Sequence, residues 1–168
     1  MPTKTYEVFR GTKSVWAAGL VYAQETARYG PIGIKPDTTI SSAQLRYTVK
    51  PDSFPTAAGF TMKVNGGVVA TESWDIFSGA TSRGNTIPIS LSIGDNYIDL
   101  YWNIVFVIPF IWTTNFETDA ILIVTYEGSD PYVPISFEDY LTYGLALGAV
   151  AVAGVLVIKG VQAFRKKG

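Results

Sequence analysis

Between residues 40 and 130 the apolar positions recur every second residue. Ile98, Leu100, Trp102, Ile104, Phe106 and Ile108 fall on one face of an extended segment, with Asp99, Tyr101 and Asn103 on the other. That period predicts a long strand with one face in a core. Ala43, Leu45, Tyr47 and Val49 repeat the pattern up to Lys50-Pro51-Asp52, and Ile87, Ile89, Leu91 and Ile93 repeat it before Gly94-Asp95-Asn96. Phe60, Met62 and Val64 run into Asn65-Gly66-Gly67, a strong hairpin signal because Asn and Gly tolerate positive φ. The strand after that turn is expected to reach Phe77 and to carry Trp74 and Ile76, and a last strand is expected over Ala120–Tyr126. Residues 1–35 read less sharply. Tyr6, Val8 and Val15–Tyr22 fit two strands, while Val15–Tyr29 also fits a short helix; strands are the preferred reading.

Strands punctuated by Gly, Pro, Asn and Asp turns predict a mainly β chain, an antiparallel β-sandwich of jelly-roll type over residues 1–127. Segment 128–139 holds Pro131 and Pro134 and reads as a stiff linker.

The pattern then changes. Residues 140–158 read YLTYGLALGAVAVAGVLVI, 19 residues with no charge, Asn, Gln or Pro. A helix of that length spans about 28 Å at 1.5 Å per residue, close to the ~30 Å hydrocarbon layer of a bilayer. A soluble amphipathic helix would show a polar stripe; this run is apolar or small all round. It is read as one C-terminal transmembrane helix, with Tyr140 and Tyr143 at the interface and the basic tail 159–168 (Lys159, Arg165, Lys166, Lys167) at the other end. Gly144 and Gly148, continued by Ala149 and Ala153, form a small-residue face suited to packing against another membrane helix.

Charge separates along the chain in the same way. The formal net charge is -1, but all 14 acidic residues lie before residue 140, while four of the 13 basic ones lie in the tail. The Lys/Arg excess after the helix places the C-terminus inside and the N-terminal domain outside. The start of the chain has only a short apolar run, Val15–Ala23, closed by Gln24 and Glu25, so the last helix is expected to direct its own insertion.

Composition excludes much chemistry. With no Cys there is no disulfide framework, thiolate nucleophile or Cys-ligated metal, and with no His there is no Ser-His-Asp relay or imidazole switch. The balance offers no basic surface for nucleic acid. No N-x-[ST] sequon occurs. Two carboxylate pairs, Asp95 with Asp99 and Glu117 with Asp119, have spacings that acid–base chemistry or calcium could use, but neither sits in a metal-loop motif. Asp95 is more simply a turn residue and Asp99 a solvent-face strand residue. The expectation is a protein that is not an enzyme and needs no cofactor.

Aromatic residues make up 14% of the chain. Phe110, Ile111, Trp112 and Phe116 surround a turn after Pro109, and Trp16 adds to the set. They serve either as core and sheet-face packing or as a patch for a partner. Trp74, Tyr97, Tyr101 and Trp112 are the candidates for such a partner surface.

In architecture the chain resembles small membrane-anchored structural proteins of virions, archaeal viruses with a lipid layer above all. The Tyr/Thr/Ile-rich strands at 43–126, the glycine-alanine segment 140–158 and the short basic tail from Lys159 carry that resemblance. It implies a virion protein whose domain forms a spike, a link from capsid to membrane, or part of a capsid vertex. The expected partners are a lipid bilayer, other structural proteins or copies of the same chain, and a host-surface or sugar ligand. Two other readings remain open: a cellular surface or envelope-layer anchor protein, and a membrane-tethered carbohydrate-binding module. The last requires the four candidate rings on one open face.

Overall fold

A computed structural model describes residues 1–18, 22–54, 56–105 and 111–132. The expected transmembrane helix at 140–158, the basic tail and residues 133–139 of the linker lie outside the described residues. Among the described residues no helix is long and apolar enough to cross a membrane.

Eight strands follow in order: β1 (Thr3–Ala18), β2 (Tyr22–Ile34), β3 (Thr39–Pro51), β4 (Ala57–Val64), β5 (Gly67–Asp75), β6 (Arg83–Pro88), β7 (Gly94–Val105) and β8 (Ile111–Glu127). They form two four-stranded antiparallel sheets, β1-β8-β3-β6 and β2-β7-β4-β5. The pairing is nested: β1 lies beside β8, β2 beside β7, β3 beside β6 and β4 beside β5. That order is the jelly-roll arrangement expected from the alternation. Thr3–Ala18 and Tyr22–Ile34 are strand and not helix, as preferred, but the bounds differ: Tyr6, Val8 and Val15 share β1, and Tyr22 opens β2.

The core is the space between the two inner faces. Leu45, Leu122 and Val124 of the first sheet meet Phe60, Met62, Ile98, Leu100 and Trp102 of the second, all fully buried. Trp102 lies near the centre, 5.0 Å from Phe9 and 5.8 Å from Phe60 between ring centroids. Its indole N–H donates to Thr118 Oγ1 across the sandwich at 3.0 Å, so the buried polar edge is satisfied. At the sandwich edge the Tyr47 hydroxyl donates to Glu72 Oε1 at 2.7 Å. Burial, followed by that contact with Glu72, pushes the Tyr47 phenol well above its ordinary range.

Bulges reset the phase of β1, β2 and β3 against their partners. In β1 the register slips between Glu7 and Phe9. Tyr6 faces the core before the slip, Val8 at it, and Val15 and Ala17 after it. One inserted residue moves the following side chains to the other face.

The Asn65-Gly66 hairpin forms as expected, with φ of 49° and 84°. Other boundaries shift. β8 begins at Ile111, well before Ala120, and β5 ends at Asp75, leaving Ile76 and Phe77 beyond it. The alternation at 87–93 holds only through Pro88; Ile89 and Leu91 pack on the core from a connection, and Ile93 is exposed. Gly94-Asp95-Asn96 is not a hairpin turn, because β6 and β7 belong to different sheets. Asn96, fully buried, pins that crossing: its amide donates to the carbonyls of Ile32, Ser92 and Gly94, and its oxygen accepts from the Ser92 N–H and from Asn65 Nδ2.

Residues 128–132 of the expected linker lie against the sandwich. Tyr132 and Gly33 exchange backbone hydrogen bonds of 2.7 and 3.2 Å, and the Tyr6 hydroxyl donates to the Pro131 carbonyl at 2.8 Å. Lys4 Nζ pairs with Asp130 at 2.7 Å.

Candidate functional site

The outer face of the second sheet carries two of the four candidate aromatics. Tyr97 and Tyr101 stand two pleats apart on β7, half-buried, on the side opposite Ile98, Leu100 and Trp102. The strands on either side of β7 add cations. β2 brings Arg28 opposite Asp99, and β4 brings Lys63 opposite the same residue. The Arg28 guanidinium lies 5.2 Å from the Tyr97 ring centroid and Lys63 Nζ 4.6 Å from that of Tyr101. Arg28 also grips Asp99 with two bonds, Nε to Oδ1 at 2.6 Å and Nη2 to Oδ2 at 3.1 Å. The hydrogen bond to Asp99 first, and its charge second, hold the Arg28 pKa above the ordinary value. Asn65, Gly66, Ser92 and Asp95 complete the rim of a shallow depression.

Asp99 therefore occupies the outer face, as expected, but is not open to solvent: its side chain is only 11% exposed beneath Arg28. Asp95 and Asp99 border the same depression, and Asp99 is committed to an ion pair.

The other two aromatics do not join this face. Trp74 is 1% exposed, in the core, where its ring meets Phe116 edge-on at 6.4 Å and its N–H donates to the Thr81 carbonyl at 2.7 Å. On β5, Ala70 is buried on the same face and Val69 also packs against the core. Trp112 is 37% exposed at the far end of the first sheet, paired with Ala17. A single four-ring platform is thus absent.

The second carboxylate pair lies on the outer face of the first sheet. Glu117 and Asp119 share one side of β8, beside Arg10, Thr12, Thr48 and Lys50. Arg10 reaches Asp119 at 3.4 Å and Glu7 at 3.3 Å. These are exposed ion pairs on a shallow surface, not two carboxyls isolated in an apolar cleft. Among the described residues no group of three or more acidic side chains is placed to hold a metal ion.

Sequence reasoning missed Arg28 and Lys63. Neither has a local signal; only the register of β2 and β4 against β7 places them over the two tyrosines.

No family model matches the chain. No curated protein matches it either. Among solved structures the chain is similar to one in infectious bursal disease virus Gx strain, at 14% identity over 79% of this chain and 33% of that one, with a TM-score of 0.43. It is similar to the CBM36-1 domain of a multidomain xylanase from the hindgut metagenome of Trinervitermes trinervoides, at 13% identity over 77% and 99% of the two chains, TM-score 0.36. It is also similar to dimeric latent PorU from Porphyromonas gingivalis, at 8% identity over 73% of this chain, TM-score 0.38; it spans only 13% of that chain. All three are distant matches, and nothing about ligand or partner follows from them.

Proposed function

We propose that the chain is a non-enzymatic, membrane-anchored structural protein that displays a jelly-roll domain at the surface of a virion or links a capsid to its lipid layer. The observation that carries the proposal is the uncharged run 140–158, closed by Lys159, Arg165, Lys166 and Lys167, placed after the last strand of a sandwich. Two features support the non-enzymatic part. The chain lacks Cys and His, and the grouped carboxylates of the sandwich, Asp99 and Asp119, are engaged by Arg28 and Arg10. The domain lies outside the membrane and the tail inside. A cellular envelope anchor would share all of this chemistry and differ in its partners.

Protease shaving of the intact particle or cell, with mass spectrometry of the peptides that stay with lipid, tests the proposal. A retained fragment containing 140–168 and a released sandwich are expected. Retention of no fragment removes the anchor. Protection of the sandwich until the membrane is opened removes outward display.

The Tyr97–Tyr101 depression supports a second reading, a tethered sugar-binding module. The two rings, one on each side of Asp99, border one depression with Asp95, Asn65 and Ser92 and offer stacking and hydrogen bonds together. Arg28 and Lys63 already lie over those rings, and a sugar has to displace them to stack. Glycan-array binding by the full chain that is lost on Tyr97→Ala with Tyr101→Ala is the result this reading requires.

A further inference from the structure

On the outer face of the second sheet one cross-strand rung holds Arg28, Asp99 and Lys63, from β2, β7 and β4. Neighbouring strands lie about 4.8 Å apart, so the two cations start from backbones about 10 Å apart with the carboxylate between them. Asp99 is more than nine-tenths buried and occupies Arg28 Nε and Nη2. The third guanidinium nitrogen, Nη1, has no acceptor among the described residues. Lys63 Nζ lies over the Tyr101 ring and forms no salt bridge among the described residues. The rim is tied to Asn96, which is fully buried: its side-chain oxygen accepts Asn65 Nδ2 at 2.8 Å and the Ser92 N–H at 2.9 Å. Asn65 Oδ1 in turn accepts the Tyr97 N–H at 2.9 Å. The depression bordered by these residues has a volume of about 560 Å³, within the ~300–1,000 Å³ of small-molecule sites. Its charged lining is Arg28 and Lys63 with Asp95 and Asp99, two cations and two carboxylates.

We propose, resting on the reading of this depression as a sugar site, that its ligand is a sugar bearing one carboxylate, a uronic or sialic acid unit of a glycan. A neutral sugar that stacks on Tyr101 displaces Lys63 from the ring and gives the ammonium no partner in return. A carboxylated sugar gives it a charged one, and charge-assisted hydrogen bonds are the strong kind. The carboxylate is received between Lys63 Nζ and Arg28 Nη1. Arg28 is already held by its two bonds to Asp99, so its remaining donor needs little further ordering. Lys63 supplies the movable donor, a point charge on a flexible stem. The rest of the rim suits hydroxyls: an ionised Asp95 only accepts, while Ser92 and Asn65 both donate and accept. The same charge balance selects against polyanions. With Arg28 committed to Asp99, Lys63 is the one cation of the lining without a carboxylate, and Asp95 shares the rim. Nucleic acid, a sulfated chain or a run of acidic peptide side chains needs more cations than that.

The test uses the full chain in detergent micelles and immobilised oligosaccharides ending in glucuronic acid or sialic acid, each beside the same glycan with its carboxylate reduced to the alcohol. Binding to a carboxylated glycan is expected, weakened about tenfold or more by the reduction, the equivalent of one hydrogen bond to a charged group. That preference is expected to shrink in ~1 M NaCl, where the screening length falls to about 3 Å. Lys63→Met keeps a stem over Tyr101 and removes the charge, and it is expected to bind acid and alcohol alike. Tyr97→Ala with Tyr101→Ala is expected to lose both. Arg28 is left in place because it covers Asp99. Urea unfolding checks each variant, and Lys63→Met with the salt series decides the matter where the double tyrosine variant does not fold. Equal binding of acid and alcohol by the wild type, lost in the double tyrosine variant, overturns the carboxylate and keeps the sugar site. Binding of no glycan, or binding that every variant leaves unchanged, overturns both. An acid preference that survives in Lys63→Met overturns the assignment of the carboxylate to this depression. A polyglutamate peptide bound more tightly than any glycan, and lost in Lys63→Met, makes the partner an acidic protein and overturns the proposal.

Discussion

Arg28 and Asp99 stand directly opposite each other in the β2–β7 ladder, and the guanidinium meets both carboxylate oxygens. The exposures are unequal: 64% for the arginine side chain and 11% for the aspartate. The arginine is a cover over a carboxylate that would otherwise be poorly solvated, and removing one partner of such a pair costs more than removing both. Arg28→Ala is expected to lower the urea midpoint of the sandwich. Arg28→Lys, which cannot form the two-bond fork, is expected to fall between it and wild type. Asp99→Asn added to Arg28→Ala is expected to recover part of the loss. A double variant no more stable than Arg28→Ala alone would show that the carboxylate does not need its cover.

The bond from Trp102 to Thr118 Oγ1 joins the two sheets at their centre. Thr118→Val keeps the shape and leaves the indole N–H unpaired in the core, a loss of about 1–3 kcal/mol. Trp102→Ala also opens a cavity and is expected to cost about 3–5 kcal/mol. Equilibrium unfolding in urea, followed by tryptophan fluorescence for the first variant and circular dichroism for both, reads the two values. Equal stability of Thr118→Val and wild type would mean that the cross-sheet bond contributes nothing net.

The segment 129–132 depends on Gly33. A Cβ at that position would run into the Tyr132 ring. Gly33→Ala is expected to push Tyr132 off β2, to loosen the Lys4–Asp130 and Tyr6–Pro131 contacts, and to leave the eight-strand core in place. Limited proteolysis should then cut within 128–132 several times faster, with little change in the urea midpoint. An unchanged cleavage rate would show that the Tyr6 and Lys4 contacts hold the segment without the Gly33 bridge.

Legibility in the sequence followed the regularity of each strand. Leu45–Val49, Phe60–Val64 and Ile98–Ile104 alternate without interruption, and their inner faces are those read from the chain. β1 was obscured because its bulge moves the buried set from Tyr6 and Val8 to Val15 and Ala17. The first half of β8 was obscured because its inner face carries Thr114 and Thr118, buried but polar, so the apolar alternation begins only at Ala120. Trp74 shows the limit at the site: an aromatic type marks a residue worth burying or displaying and does not say which. Tyr97 and Tyr101 were found by alternation alone. Their cations were not, because Arg28 and Lys63 arrive from strands 71 and 36 residues away from Asp99 and only register brings them there.

Acid sensitivity centres on Asp52, which ties the connection after β3 to β8. Its carboxylate accepts the Asn115 N–H at 2.9 Å, Asn115 Nδ2 at 2.8 Å and the Ser53 hydroxyl at 3.2 Å. Loss of solvation is the largest single influence and raises its pKa, but the bonds from Asn115 and Ser53 together outweigh it and the carboxyl sits below its ordinary value of 3.8. Asp75 is lowered too, first by the Ser78 N–H, and Asp130 first by Lys4. A carboxyl depressed by folding contributes stability that is fully present above the unfolded-state value and is lost as pH falls through the folded one. The urea midpoint is therefore expected to hold steady from neutrality down to about pH 5 and to fall progressively below about pH 4. Asp52→Asn keeps a hydrogen-bonding oxygen and removes the titration. It is expected to be less stable than wild type at pH 7 and to show a shallower acid decline. An acid decline as steep in Asp52→Asn as in wild type would assign the loss to Asp75 and Asp130, and Asp130→Asn then separates those two.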